Sequence, residues 1–85
     1  IQYTLPYRWE DNGWLNTNCY KVKMVIYDAR GRVVRELVNR KQKPGHYRVV
    51  WRGKSDTGRR VASGFYFCRL EAGKYSSVRK IIAIR

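Results

Sequence analysis

The segment that decides the fold is Tyr20–Asp28, which reads YKVKMVIYD. Aromatic or aliphatic residues stand at positions 20, 22, 24 and 26, and lysines stand at 21 and 23. Because successive side chains of a strand point to opposite faces, this alternation predicts a half-buried β-strand that ends near Asp28. Asp28–Gly31 (DARG) then predicts a tight turn, in which the glycine supplies a positive φ.

The same two-residue period extends to both sides of this segment. Residues 1–5 alternate and stop at Pro6, which predicts a first strand at a sheet edge. Residues 7–18 are rich in Asn, Gly, Asp and Trp and are predicted to form a loop. Residues 32–38 are predicted to be the hairpin partner of the decisive strand, although their alternation is imperfect.

Turn residues divide the rest of the chain. Pro44–Gly45 suits the two central positions of a type II turn, and Ser55–Gly58 and Ala72–Gly73 predict two further turns. The segments between them are predicted strands: an alternating one around 47–52, an aromatic-rich run over Phe65–Leu70, and a last strand over Tyr75–Ile84.

Six or seven short strands in 85 residues predict one all-β domain, an antiparallel β-sandwich spanning residues 1–85. Hydrophobic residues make up 44% of the chain, which is too many for a disordered tail. The longest apolar run, Ile81–Ile84, is far below the roughly 18–20 residues that span a membrane. The chain opens with Ile1 and without a signal peptide, and we interpret it as a piece of a longer protein.

Two cysteines, Cys19 and Cys68, are the only thiols, and His46 is the only histidine, so a four-ligand Cys/His zinc site cannot form. A Cys19–Cys68 disulfide is compatible with an oxidising compartment. Strand phase, however, points Cys68 into the core and Cys19 away from it, so the bond would need a bulge or a strand-end geometry. The sequence leaves both states open and predicts Cys68 as a buried thiol.

No catalytic constellation is present in the sequence. Glu10 and Asp11 are adjacent and lack a partner at useful spacing, Asp56 lacks the neighbouring ligands of a calcium loop, and Ser63 is in no GxSxG context. His46 is predicted to lie on the surface beside a turn. We therefore expect a non-catalytic domain without cofactor or metal.

The three tryptophans receive different interpretations. Trp51 is in phase with inward-facing neighbours and is predicted to pack in the core. Trp9 and Trp14 lie in the polar loop, where they either fold back over an open edge of the sandwich or stay exposed to stack on sugars or dock against a neighbouring domain.

Lysine and arginine number 19 against six acidic residues, a formal charge of +13. Such an excess favours acidic partners: nucleic acid, anionic lipid headgroups or acidic polysaccharide. The basic residues occur in all predicted strands but the first and in several loops, so we expect a diffuse cationic shell that suits acidic polysaccharide or an acidic domain better than nucleic acid. The residues predicted for interaction are Trp9, Trp14, Arg40, Lys41, Lys43, Arg59 and Arg60.

A series of fragments in fixed order resembles a known family. The fragments are Ile1–Pro6 (IQYTLP), Val22–Asp28 (VKMVIYD), Gly31–Val38 (GRVVRELV), Pro44–Gly53 (PGHYRVVWRG), Asp56–Leu70 (DTGRRVASGFYFCRL) and Glu71–Arg85 (EAGKYSSVRKIIAIR). In this order they resemble the FlgD-like immunoglobulin-like domain, named for the flagellar hook-capping protein. Similar modules terminate many secreted bacterial proteins, including substrates of the type IX secretion system.

The resemblance implies an immunoglobulin-like β-sandwich without enzymatic activity, at the C-terminus of a secreted or surface-attached bacterial protein. It implies that the module directs secretion or attachment by contacting the secretion machinery, and that a basic-then-apolar end at Val78–Ile82 takes part. The candidate residues of this sorting tail are Arg79, Lys80 and Arg85. A structural module that packs against sister subunits or a partner domain, and a polyanion-binding module, remain alternatives. The loop 7–18, the two cysteines and the +13 charge depart from the family pattern.

Overall fold

The computed structural model describes residues 1–6, 8–9, 15–16 and 19–84. These residues form strands and turns and no helix. The strands, numbered in chain order, are β1 (Gln2–Leu5), β2 (Arg8–Trp9), β3 (Leu15–Asn16), β4 (Tyr20–Asp28), β5 (Val33–Gln42), β6 (Gly45–Arg48), β7 (Gly64–Ala72) and β8 (Tyr75–Ala83).

The larger sheet has four antiparallel strands in the order β5-β4-β7-β8. The decisive strand β4 lies inside this sheet, paired with β5 on one side and with β7 on the other. Its apolar positions lie opposite the apolar positions of β7, for example Val22 opposite Ala72 and Ile26 opposite Cys68. Residues directly opposite in an antiparallel pair share a face, so these side chains together form one apolar face.

The smaller sheet consists of β1 and β6, which pair antiparallel with Tyr3 opposite Tyr47. The two tyrosine rings stack at 5.3 Å between centroids. The pairing continues one step beyond the strands, since Ile1 and Val49 exchange two backbone hydrogen bonds of 2.7 Å. This sheet supplies the second layer of the sandwich.

The core lies between the two sheets. Val22, Met24 and Ile26 of β4 are fully buried, and Tyr3 and Leu5 of β1 reach them from the opposite layer. The Tyr3 hydroxyl donates to the side-chain carbonyl of buried Gln42, and burial raises the pKa of this phenol. The buried cluster contains Tyr3, Leu5, Val22, Met24, Ile26, Val38, Tyr66, Cys68 and Ala72. An all-β, immunoglobulin-like antiparallel sandwich is confirmed.

The imperfect alternation of β5 has a structural cause. The register between β4 and β5 shifts twice, between Met24 and Val25 and between Ile26 and Tyr27. Each shift adds a residue of β5 that has no partner, and this moves the apolar positions of β5 out of a strict two-residue period. The strand is also longer than predicted, continuing to Gln42.

Two predicted turns are confirmed with their hydrogen bonds. Gly31 has φ +84° and its N–H donates to the Asp28 carbonyl at 3.0 Å. Gly58 has φ +82° and donates to the Ser55 carbonyl at 2.9 Å. The second turn is attached to β5, because the Asp56 carboxylate accepts the Glu36 N–H at 3.0 Å.

The type II turn predicted at Pro44–Gly45 is wrong. Gly45 has φ +155° and already belongs to β6, opposite Leu5. The connection after β5 carries the chain from the larger sheet to the smaller one. A reversal onto the neighbouring strand of the same sheet, which a tight turn would make, does not occur here.

The predicted loop 7–18 contains a short antiparallel pair. Arg8 lies opposite Asn16, and Trp9 lies opposite Leu15. A two-residue strand is too short to produce an alternating pattern, so sequence periodicity does not predict this pair. The other residues of this stretch, with Trp14 among them, lie outside the described residues.

Candidate interaction surfaces

The face of the larger sheet that points away from the core carries apolar side chains. Register places these residues in rows across the strands, such as Tyr27 opposite Phe67, and Phe65 opposite Ile82. We call this set the outer apolar face; it consists of Val25, Tyr27, Val33, Phe65, Phe67, Val78 and Ile82.

Much of the outer apolar face is open to solvent. Relative exposure is 60% for Val33, 49% for Phe65, 59% for Val78 and 64% for Ile82. Val25 is the exception at 4%, because it lies opposite Glu36 on one side and Arg69 on the other. The outward faces of sandwich sheets are commonly polar, so clustered exposed apolar side chains indicate a surface that contacts something else.

Cationic groups accompany these apolar side chains. The Lys80 Nζ lies 4.0 Å from the centroid of the Phe65 ring, a cation–π contact. Arg69 pairs with Glu71 at 3.0 Å beside Val25. A shallow depression of about 290 Å³ lies between Phe67, Val78 and the Asp28–Gly31 turn. The face thus combines apolar contact area with positive charge.

Among the strands that the structure describes, β8 forms one edge of the larger sheet and pairs with β7 alone. The backbone groups along its other side point outward, and an unpaired edge of this kind is a template for pairing with another chain. The predicted sorting-tail residues are divided between its two faces. Arg79 lies opposite Cys68 on the inner face, and Lys80 lies opposite Phe67 on the outer face. Arg85 lies outside the described residues.

The basic residues predicted for interaction are exposed and fall into two groups. Arg40, Lys41 and Lys43 lie at the end of β5, whereas Arg59 and Arg60 follow the turn that attaches to Val34 and Glu36. Four to seven residues of strand separate Val34 and Glu36 from Arg40 and Lys41, which is roughly 14–24 Å along β5 at about 3.4 Å per residue. The two groups form two separate cationic patches rather than one groove.

The tryptophan interpretations have different outcomes. Trp51 packs against the core as predicted, edge-on to Tyr66 at 5.4 Å, while its indole N–H donates to the Lys54 carbonyl at 2.9 Å. Trp14 and the side chain of Trp9 lie outside the described residues, so both of their interpretations remain predictions.

Both cysteines are free thiols in the structure, and the Cys19–Cys68 disulfide is not formed in it. Cys68 is buried as predicted, at 4% exposure, and burial raises the pKa of its thiol. Cys19 is exposed. His46 is exposed on β6, with its Nδ1 2.9 Å from the Thr4 hydroxyl.

Within the described residues, no group of three or more His, Cys, Asp or Glu side chains is placed to hold a metal ion. The described segments likewise contain no helix that is long and apolar enough to cross a membrane.

The chain matches the FlgD Ig-like domain over residues 12–76, about three quarters of its length. It belongs to the FlgD Ig-like domain family. The match includes β4 to β7 and leaves out β1 and most of β8. No curated protein and no solved structure matches the chain significantly. Family membership indicates that this FlgD Ig-like domain is a non-catalytic structural module within a larger protein.

The outer apolar face was missed by sequence reasoning, although β7 contained a signal for it. Phe65 and Phe67 occupy one phase of the strand, and Tyr66 and Cys68 occupy the other. A run that is apolar in both phases indicates contacts on both faces of the sheet. In this FlgD Ig-like domain the inner side chains Tyr66 and Cys68 are buried, whereas Phe65 on the outer face is 49% exposed.

Proposed function

We propose that this FlgD Ig-like domain is a non-catalytic module that directs secretion or cell-surface attachment of a larger bacterial extracellular protein. The observation that carries the proposal is the outer apolar face, at which Phe65, Val78 and Ile82 are about half to two thirds exposed. A structural module whose outward sheet face is apolar and cationic has a surface suited to recognition by other proteins.

The position of β8 supports recognition of the folded domain. Val78, Lys80 and Ile82 follow one another at two-residue intervals on the outer side of this edge strand. A partner can therefore contact these side chains, and the free backbone edge beside them, without unfolding the sandwich. Aliphatic side chains and a lysine in this arrangement offer both buried area and charge to secretion or attachment machinery.

The proposal is tested by fusing residues 1–85 to a reporter enzyme in a host with a working type IX secretion pathway. We expect the reporter to reach the cell surface or the medium, and to stay in the periplasm of the same host when that pathway is inactivated. Periplasmic retention of the fusion in the competent host would contradict a sorting role.

A second function, packing against a sister subunit or a partner domain in an extracellular assembly, is favoured by the same exposed face. Analytical ultracentrifugation of the isolated domain distinguishes packing against a sister subunit from the sorting function. A sorting module is expected to sediment as a monomer at all concentrations, since a charge of +13 opposes self-association. Concentration-dependent dimers would favour sister-subunit packing.

A further inference from the structure

The smaller sheet leaves the inner side of β8 open to solvent, since its inward-facing Tyr75, Ser77 and Arg79 are all exposed. Two strands, β1 and β6, are stacked on four, and a groove of about 490 Å³ remains between β1 and β8. Leu70 of β7 and the inward-facing Tyr75, Ser77 and Arg79 of β8 line it on one side, and β1 lines it on the other. Cys68 and Ala72 lie buried at its bottom. The groove lies where a third strand of the smaller sheet would be.

The edge of β1 beside the groove carries unpaired backbone groups. Ile1 and Val49 exchange both of their hydrogen bonds, so they are a hydrogen-bonded pair of the antiparallel ladder. Because hydrogen-bonded and non-hydrogen-bonded pairs alternate, the N–H and C=O groups of Gln2 and Thr4 point away from β6. In the described part of the chain β1 pairs with β6 alone, so these groups are available to another strand.

The one charged side chain among the described residues that line the groove is positive. Arg79 lines it and also lines the adjoining depression on the outer side of β1, which includes Arg48. No acidic side chain occurs among the described residues that line either space. A second copy of this chain is disfavoured as the occupant, since its strands carry lysine and arginine and its net charge is +13.

We infer that the groove between β1 and β8 binds an extended segment of a partner protein by strand addition to β1. The segment has apolar side chains at alternate positions, which pack on Leu70 and Tyr75, and acidic side chains between them, which face Arg79. Its backbone pairs with Gln2 and Thr4. This inference does not depend on the proposed function, because that function uses the opposite face of the larger sheet.

The probe is a seven-residue peptide with blocked ends in which glutamate and valine alternate, titrated into the full chain by calorimetry. We expect saturable binding together with slower hydrogen exchange at the Gln2 and Thr4 amides. A peptide with a central proline is expected to bind at least about tenfold more weakly, since proline removes a donor and cannot continue the ladder.

Paired variants of β8 test whether the peptide binds in the groove. Ser77→Trp places a large side chain in the groove and is expected to abolish binding, whereas Ser76→Trp, one residue away on the outer face, should leave it unchanged. Arg79→Glu should weaken binding several-fold to about tenfold, while Lys80→Glu on the other face should have little effect. Equal unfolding free energies within each pair confirm that the fold is intact.

Each remaining outcome overturns part of the inference. Absence of peptide binding, or equal binding by the Ser77→Trp and Ser76→Trp variants, overturns the groove as the site. Equal binding of a lysine–valine peptide overturns the acidic partner. A dimer of the wild-type chain that Ser77→Trp dissociates would identify a second copy as the occupant. A Ser77→Trp reporter fusion that is no longer exported would overturn the separation of the groove from the sorting role.

Discussion

At the scale of single residues, Met24 has a central place in the core. Its side chain is fully buried in β4, between the two sheets. Met24→Ala is expected to lower the free energy of unfolding by about 2–5 kcal/mol, because it removes buried apolar contacts and leaves a cavity. Urea denaturation measures this loss. The adjacent exposed Lys23→Ala is the control and should change stability by less than about 0.5 kcal/mol; equal losses would contradict the assigned strand phase.

Asp28 makes the stability of the first hairpin depend on pH. The Arg32 N–H holds the pKa of this carboxyl below its ordinary value, helped by the Arg32 side chain and the Arg30 N–H. A lowered pKa means that the ionised carboxylate stabilises the fold. That contribution is complete above the ordinary pKa of 3.8 and disappears as pH falls through the lower pKa of the folded state.

Asp28→Asn tests this linkage, since the amide keeps the shape of the side chain and cannot ionise. At about pH 6 the wild type should be the more stable protein in urea denaturation, and the difference should shrink as the pH is lowered below about 4. A difference that stays constant over this range would contradict the role of the carboxylate charge.

Residue-level inference from the sequence succeeded where one face of a strand is buried. The alternation of β4 placed Val22, Met24 and Ile26 correctly because their burial follows directly from strand geometry. It failed for Val25, which is buried on the opposite face by neighbours from β5 and β7. Those neighbours are brought together by the sheet, and nothing local in the sequence encodes them.

At the scale of elements, the β7–β8 hairpin depends on its turn. Gly73 has φ +59°, and a Cβ placed there would meet only the Tyr20 ring at an ordinary 3.7 Å. Gly73→Ala is therefore expected to destabilise the fold by about 1–2 kcal/mol through its backbone conformation alone. Gly73→Asn should lose less, because asparagine tolerates this conformation better.

Thermal or urea unfolding of these two variants gives the comparison. Lys74→Ala serves as the matched control, since Lys74 is exposed in the same turn and has no positive φ. Equal destabilisation by Gly73→Ala and Lys74→Ala would contradict the backbone explanation.

The connections of the fold were harder to predict than its strands. The turns at Gly31 and Gly58 can be predicted locally, because each is a four-residue turn in which glycine adopts a positive φ. The crossing at Pro44–Gly45 depends on β6 pairing with β1, some forty residues earlier, and dipeptide preference cannot encode such a distant partner. The groove and the outer apolar face were equally hard to predict, because both depend on how the strands of the two sheets are arranged in space.

At the scale of the whole molecule, the charge of +13 predicts attraction to polyanions. Because Arg40, Lys41 and Lys43 lie at the end of β5, whereas Arg59 and Arg60 follow a turn that attaches near its start, neutralising either group should weaken heparin binding separately, and the two effects should add. Retention on heparin at several salt concentrations measures this, with log affinity falling linearly as log salt rises. Complete loss of binding from one group alone would instead indicate a specific site.

The central claim is that the domain works through the outer apolar face. It is tested by delivery to the cell surface of reporter fusions carrying Val78→Thr with Ile82→Thr, compared with Val50→Thr, which changes an equally exposed valine away from that face. Threonine keeps the β-branched shape, so all three domains should fold. We predict that the wild-type and Val50→Thr fusions reach the surface and that the double variant does not; equal delivery of all three would contradict the claim.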